Sequence, residues 1–212
     1  MKIVSLILAR GGSKEIPNKN IIDINGFPLI YYTIKSSVDS IVNETWVSTD
    51  SKIIKNISLS YKVKVIDRPE EIAQDNSQSE ESLLHFSKYV DFDYLVFIQP
   101  TSPLLDSKDI NKALSMVDKY DSIFSVYKEH WVPRWSKTAK PIDWNINKRP
   151  MRQQKELRFV ENGAFYITSK ENLLKSRMRY SGRIGLYEMP FSRSLQIDTE
   201  DDLELVRKII SS

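Results

Sequence analysis

The segment Ile3-Val4-Ser5-Leu6-Ile7-Leu8 is apolar at every position but one and runs straight into Ala9-Arg10-Gly11-Gly12. A strand with one wet face would alternate apolar and polar residues. A short continuous run followed by glycines reads instead as a strand covered on both faces. Such strands belong to parallel sheets, and parallel neighbours must be joined by crossovers, usually helical. The opening residues therefore ask for alternating strands and helices further along.

The alternation is there. Asn25-Gly26 is a turn signal and Pro28 suits a helix start, after which Leu29, Ile30, Thr33, Ile34 and Val38 recur at helical spacing. Strand-like runs at 45–48, 64–66, 94–98, 122–127, 163–168 and 185–189 interleave with helical patterns. Those patterns begin near Asp50, Ser79, Asp106 and Lys170, and a last one covers 199–210; Asp50, and either Asp106 or Ser107, are expected caps, and the Asp106 helix is expected to reach about Lys119. The expectation is an α/β fold: an open, mostly parallel sheet with helices on both faces and right-handed crossovers. Between 128 and 158 the rhythm fails, in a cation-rich stretch that holds Trp131, Trp135 and Trp144. The tryptophans argue against disorder, so this reads as an excursion from a single domain spanning 1–212.

Composition narrows the function. With 212 residues, 31 basic and 28 acidic side chains, the net charge is +3, too small to mark a nucleic-acid binder. There are no cysteines, which removes disulfides, thiolate metal sites and thiol catalysis together. Two histidines exclude a multi-histidine metal site, and His85 reads as core or surface filler. No apolar run approaches the roughly 20 residues of a membrane span, and Met1-Lys2 leads directly into the first strand without a cleavage site. A soluble, cytoplasmic protein without a membrane partner is expected.

Ligands of such sheets bind beyond the carboxyl ends of the strands. The loop after Leu8 carries two glycines, Ser13, Arg10, Lys14 and Lys19, a set suited to a polyphosphate, although an ordinary basic surface loop would look the same. It is neither a Walker loop nor a dinucleotide fingerprint, since the glycine spacings of both are missing. Gln99, ending the most apolar of the later strands, lies where a ligand would sit.

The pattern Arg10-x-x-Ser13-Lys14-x-x-Pro17-x-Lys19-Asn20 resembles the nucleotide-binding signature of the CMP-sialic acid synthetases, or acylneuraminate cytidylyltransferases. Further matches follow in order: Ser48-Thr49-Asp50, Arg68-Pro69, Gln99-Pro100-Thr101-Ser102-Pro103-Leu104, Arg152-Gln153, Asn162-Gly163-Ala164-Phe165-Tyr166 and Ile197-Asp198-Thr199-Glu200. The resemblance implies a Rossmann-like nucleotidyltransferase fold that joins CTP to an acidic 2-keto-3-deoxy sugar, with Mg²⁺, and releases pyrophosphate. The sugar would be sialic acid or a related nonulosonic acid, such as legionaminic or pseudaminic acid. It further implies nucleotide contacts from Leu8, Ala9, Arg10, Gly12, Ser13, Asn20, Arg68, Ser79 and Gln99. Arg10, Lys14, Lys19 and Asp198 would be catalytic, with Asp198 the metal ligand, though Asp198 could instead cap the last helix. Arg152, Gln153, Asn162, Tyr166 and Gln196 would hold the sugar, and the tryptophan-rich excursion would be a homodimer arm.

Three positions depart from the family pattern: Glu15 replaces a common glycine, Gln196 replaces the first aspartate of an Asp-x-Asp pair, and Arg179-Tyr180 stands where some members have aromatics. The competing readings are a cytidylyltransferase for 3-deoxy-octulosonic acid or its amino analogue, and a catalytically silent nucleotide-sugar-binding protein on the same fold.

Overall fold

In the computed structural model, which describes residues 1–211, the strands are β1 (Ile3–Leu8), β2 (Asp23–Ile24), β3 (Phe27–Pro28), β4 (Glu44–Thr49), β5 (Lys64–Asp67), β6 (Tyr94–Ile98), β7 (Ser122–Glu129), β8 (Arg134–Trp135), β9 (Pro141–Ile142), β10 (Arg158–Ser169) and β11 (Ile184–Glu188). The helices are α1 (Leu29–Val38), α2 (Lys52–Ser60), α3 (Ser79–Tyr89), α4 (Ser107–Leu114), α5 (Lys170–Ser176) and α6 (Glu200–Ser211). Seven strands form one sheet in the order β11-β7-β10-β6-β1-β4-β5. β10 alone runs against its neighbours β6 and β7, and the other pairings are parallel.

The apolar run of β1 is explained by its position. Ile3 and Ile7 face a cluster with Ile30 and Ile34 of α1 and Ile110 of α4. Val4 and Leu6 face Leu83 and Phe86 of α3 and Leu173 of α5 on the other side. Successive side chains point to opposite faces, so a strand covered on both must be apolar throughout. A third cluster joins Ile16, Ile24 and Leu29 to Ile197, Leu203 and Val206, tying the loop after β1 to the segment before α6.

The strand order also places the site. From β1 the chain builds outward through β4 and β5, then returns to put β6 on the other side of β1. The loops leaving β1 and β6 diverge there, which is where open α/β sheets bind ligands.

The structure corrects several local readings. α2 is capped by Ser51, whose hydroxyl accepts from the Ile54 amide, so Asp50 is not its cap. Of the two residues offered as the cap of α4 the structure uses Asp106, with Ser107 the first helical residue, and the helix ends at Leu114. The strand expected at 163–168 extends over 158–169, because β7 and β10 continue as a ribbon beyond the sheet. The excursion is not wholly irregular: it holds the β8–β9 hairpin and a 3-10 turn at Arg152–Gln154. Its tryptophans pack on the arm itself, with Trp135 and Trp144 edge to face at 4.9 Å and the Trp144 indole donating to the Arg134 carbonyl. Val132, Trp135, Ile142, Ile146, Met151 and Leu157 stay exposed on it. Among the described residues no helix is long and apolar enough to cross a membrane.

Candidate active site

The loop from Ala9 to Asn20 is shaped by three hydrogen bonds. The Ala9 amide donates to the Ser48 carbonyl (3.0 Å), the Gly11 amide to Asp50 Oδ1 (2.8 Å), and Asn20 Nδ2 to the Arg10 carbonyl (2.9 Å). Asp50 therefore serves the loop. Ile16, 1 % exposed, anchors the far end in the third apolar cluster. A polar loop with both ends fixed can present cations in one direction without a ligand to organise it.

Those cations line a cleft of about 720 Å³ at the divergence of β1 and β6. Leu8, Arg10, Ser13, Lys14, Lys19, Asn20, Arg68, Ser79, Gln99, Gln196 and Asp198 all border it, together with Glu15. Ala9 lies fully buried beneath the wall, and Gly12 is on the loop outside it, with open space where a Cβ would stand. Arg10 and Lys14 both reach Asp75, at 2.7 Å each, from the segment before α3. The two cations hold the Asp75 carboxyl below its ordinary range. No motif pointed to Asp75, because its meaning comes only from the fold that sets 73–78 opposite the β1 loop.

Arg68 is a different kind of cation. It is 8 % exposed, and among the described residues its guanidinium is held by Ser48, Nε to Oγ at 3.1 Å and Nη2 to the carbonyl at 2.6 Å. Burial pushes its guanidinium down to about 10, against the pull of Asp50. A buried cation without a carboxylate partner is costly, and one on a cleft wall is suited to an anion that arrives from outside.

At the far side, the Lys19 ammonium donates to Asp198 Oδ1 (2.9 Å) and the Ile197 carbonyl (3.0 Å). Asp198 is not the cap of α6. That role belongs to Thr199, whose hydroxyl accepts from the Asp202 amide while Asp202 Oδ2 accepts from the Thr199 and Asp198 amides. The Asp198 carboxylate is left for the cleft, and its side chain is 60 % exposed.

A second pocket of about 400 Å³ adjoins the first and shares Gln99, Gln196 and Asp198 with it. Asn162, Tyr166, Tyr127, Phe191, Glu161 and Asp202 complete much of its wall. Asn162 donates through Nδ2 to Ser194 Oγ (2.9 Å). Gln196 donates to the Asn162 carbonyl and lies 3.4 Å from Gln99 Oε1 and from Thr101 Oγ1. Gly163 makes this approach possible: at φ +70°, a Cβ there would stand 2.1 Å from Gln196 Nε2 and 2.9 Å from Gln99 Oε1. Tyr166 is largely a core residue, as its place in a strand suggests, but its hydroxyl reaches Glu161 on the pocket wall. Arg152 and Gln153 are not brought to either pocket; they sit exposed on the 3-10 turn of the arm.

The fit to Mg²⁺ rests on Asp198. Magnesium prefers one or two carboxylates with phosphate oxygens and waters. Asp202 is committed to the helix cap and the Gln196 amide to Asn162. Among the described residues no group of three or more His, Cys, Asp or Glu is arranged to hold a metal. The donor set fits an ion held by one carboxylate and shared with a ligand's phosphates.

Comparison with known proteins agrees with this construction. The chain is 39 % identical over 211 residues to N-acylneuraminate cytidylyltransferase A of Danio rerio, covering 94 % of this chain and 49 % of that one. It is 32 % identical over 217 residues to an N-acylneuraminate cytidylyltransferase of Escherichia coli, covering 96 % and 51 %. The chain thus spans about half the length of the curated relatives it matches. Among solved structures, a CMP:2-keto-3-deoxy-manno-octonic acid synthetase complexed with CTP superposes with TM-score 0.75 at 19 % identity, over 100 % of this chain and 99 % of that one, a likeness of fold. The sequence model described as Cytidylyltransferase matches residues 4–210, both site-bearing loops included, and the chain belongs to that family.

Proposed function

We propose that the protein transfers the cytidylyl group of CTP to the anomeric hydroxyl of an acidic 2-keto sugar, releasing pyrophosphate. The observation that carries this reading is the meeting of a cation-lined cleft and a polar pocket at Gln99, Gln196 and Asp198. Two substrates seated side by side would present their reacting atoms there, and holding them together removes much of the entropic barrier.

The bond that forms joins the sugar oxygen to the α-phosphorus, the bond that breaks joins the α-phosphorus to the oxygen bridging to the β-phosphate, and the hydroxyl proton is lost to solvent as pyrophosphate leaves. Arg10 and Lys14 leave Asp75 to neutralise charge growing on the leaving group, with Arg68 as a fixed cation deeper in the wall. Lys19 holds Asp198 towards the junction. Mg²⁺, held by Asp198 and the nucleotide, would neutralise phosphate charge. Ser79 and Asn20 complete the nucleotide wall, and Asn162, Tyr166 and Gln196 the sugar wall.

The arm is proposed to pair two copies of the chain in the cytoplasm. Its exposed apolar side chains support this, since exposed apolar surface commonly marks an interface, and the pairing would bring Arg152, proposed to hold the sugar carboxylate, and Gln153 to that contact. A monomer by light scattering at micromolar concentration would reject the pairing.

The deciding experiment measures pyrophosphate from CTP, Mg²⁺ and a panel of 2-keto acid sugars, sialic, legionaminic, pseudaminic and 3-deoxy-octulosonic acids among them. CTP should far exceed ATP and GTP. Equal use of all nucleotides, or activity with phosphosugars only, would overturn the reading, and no activity with any sugar would favour a silent binding protein.

A further inference from the structure

Along a regular strand, residues 161 and 166 would point to opposite faces, being five apart. In β10 they meet. Glu161 pairs with Val126 of β7 and Tyr166 with Phe124, so five steps on one strand oppose two on the other. The bulge that absorbs the difference contains Gly163 at φ +70° and brings the Tyr166 hydroxyl onto Glu161 Oε1 as a donor. Bulges of this kind re-aim side chains and concentrate beside active sites.

Tyr166 is held on both sides. Its ring stacks with Phe97 at 5.4 Å and lies 5.0 Å from the Arg179 guanidinium, and Tyr180 packs beyond it. Arg179 is itself fixed by a two-pronged bond to the buried Glu80. A carboxylate oriented by so rigid a donor loses little rotamer freedom when it takes up a ligand.

Three carboxylates border the second pocket, and they are not equivalent. Asp198 is paired with Lys19, and Asp202 is occupied by the amides and hydroxyl of the α6 cap. Glu161 is met by no lysine or arginine among the described residues, and Oε1 is its only side-chain oxygen with a partner there. Among the described residues, no lysine or arginine borders this pocket. A carboxylate with one oxygen tethered and the other open accepts from O–H or N–H groups and repels an anion. We infer that Glu161, oriented by Tyr166, is a specificity-determining residue that accepts hydrogen bonds from hydroxyl or amide N–H groups on the carbon chain of the sugar, keeping the sugar's own carboxylate away from this wall. The inference rests on the cytidylyltransferase reading and deepens it.

The test is steady-state kinetics of pyrophosphate release with the best sugar of the panel, for Glu161→Ala, Glu161→Gln, Tyr166→Phe and the Glu161→Ala/Tyr166→Phe pair. Glu161→Ala should raise the sugar KM about 10- to 100-fold, the worth of a hydrogen bond to a charged group, with the CTP KM within about twofold of the original. Glu161→Gln should raise it less, by keeping an acceptor. Tyr166→Phe should also raise it, and should add nothing once Glu161 is gone, because the two act as one unit. A sugar KM unchanged in Glu161→Ala, a CTP KM rising in step with it, or additive effects in the double variant would each overturn the inference. Those results require an active parent enzyme; a parent without activity on any sugar would overturn the cytidylyltransferase reading itself, and the inference with it.

Discussion

Lys19 and Asp198 stand 179 residues apart in sequence and 2.9 Å apart in space, and their contact joins the loop after β1 to the segment before α6. Each half has a separate anchor. Ile16 and Ile197 share the third apolar cluster, and the Ile197 amide donates to the Thr101 carbonyl at 2.9 Å. The ion pair therefore reports a geometry that packing also holds in place, and changing either partner should leave the loops folded.

Lys19→Ala and Arg10→Ala should each lower turnover by about two to three orders of magnitude, roughly the worth of one preorganised charge partner. Asp198→Asn should remove most activity. Because the Asp198 side chain is largely exposed, its loss should change stability little. Paired thermal melts and pyrophosphate assays check this, and near-normal turnover would return the altered residue to an ordinary surface role.

Asp75 pairs with Arg10 and Lys14, so on the proposed reading it would compete with the phosphates of CTP for both cations. Asp75→Asn should tighten CTP binding by about two- to fivefold at low salt, the scale of exposed ion pairs, and the gain should fade as salt rises. Isothermal titration with CTP at two ionic strengths measures it. Weaker binding would mean that Asp75 positions the cations.

The Glu80–Arg179 pair gives a pH signature. Arg179 holds the Glu80 carboxyl below its ordinary range against the opposing effect of burial. A carboxyl whose folded value lies below its unfolded one contributes stability that is present above about pH 4.5 and lost as pH falls through the folded value. Glu80→Gln should cost about 3 kcal/mol at neutral pH by leaving a half-buried guanidinium unpaired. Urea unfolding at pH 7 and pH 3.5 should show the difference between parent and variant shrinking in acid; an equal difference at both would assign the cost to packing.

Gly163→Ala should destabilise the protein by about 1–3 kcal/mol, from the left-handed backbone together with the clash at Gln196. Its activity should fall further than the melting temperature alone explains, because Gln196 and Gln99 would separate at the junction of the two pockets. Assays well below the melting point distinguish the two effects.

Much of this protein was determined by sequence alone. The continuous apolar run of β1, the helical spacing of α1 and the apolar β6 fix a covered parallel sheet, because burial on two faces leaves a pattern that local periodicity reveals. The loop of Arg10, Ser13, Lys14 and Lys19, and Gln99 at the end of β6, are equally legible as candidates, since in such a sheet ligands are expected beyond strand ends. The resemblance to the cytidylyltransferases added Asn20, Arg68 and Asp198; the local settings of the last two, a turn and a helix start, would not have singled them out. Only the tertiary structure decided the rest. It assigned the α6 cap to Thr199 and freed Asp198, gave Asp50 to the Gly11 amide instead of a helix end, and set Asp75 against Arg10 and Lys14. It put Arg152 on an exposed arm and turned Glu161 onto Tyr166 through a bulge. The physical reason is common to all of these: which acceptor satisfies a given donor depends on what the folded chain brings within about 3 Å, and for residues separated by tens of positions no periodicity encodes that choice.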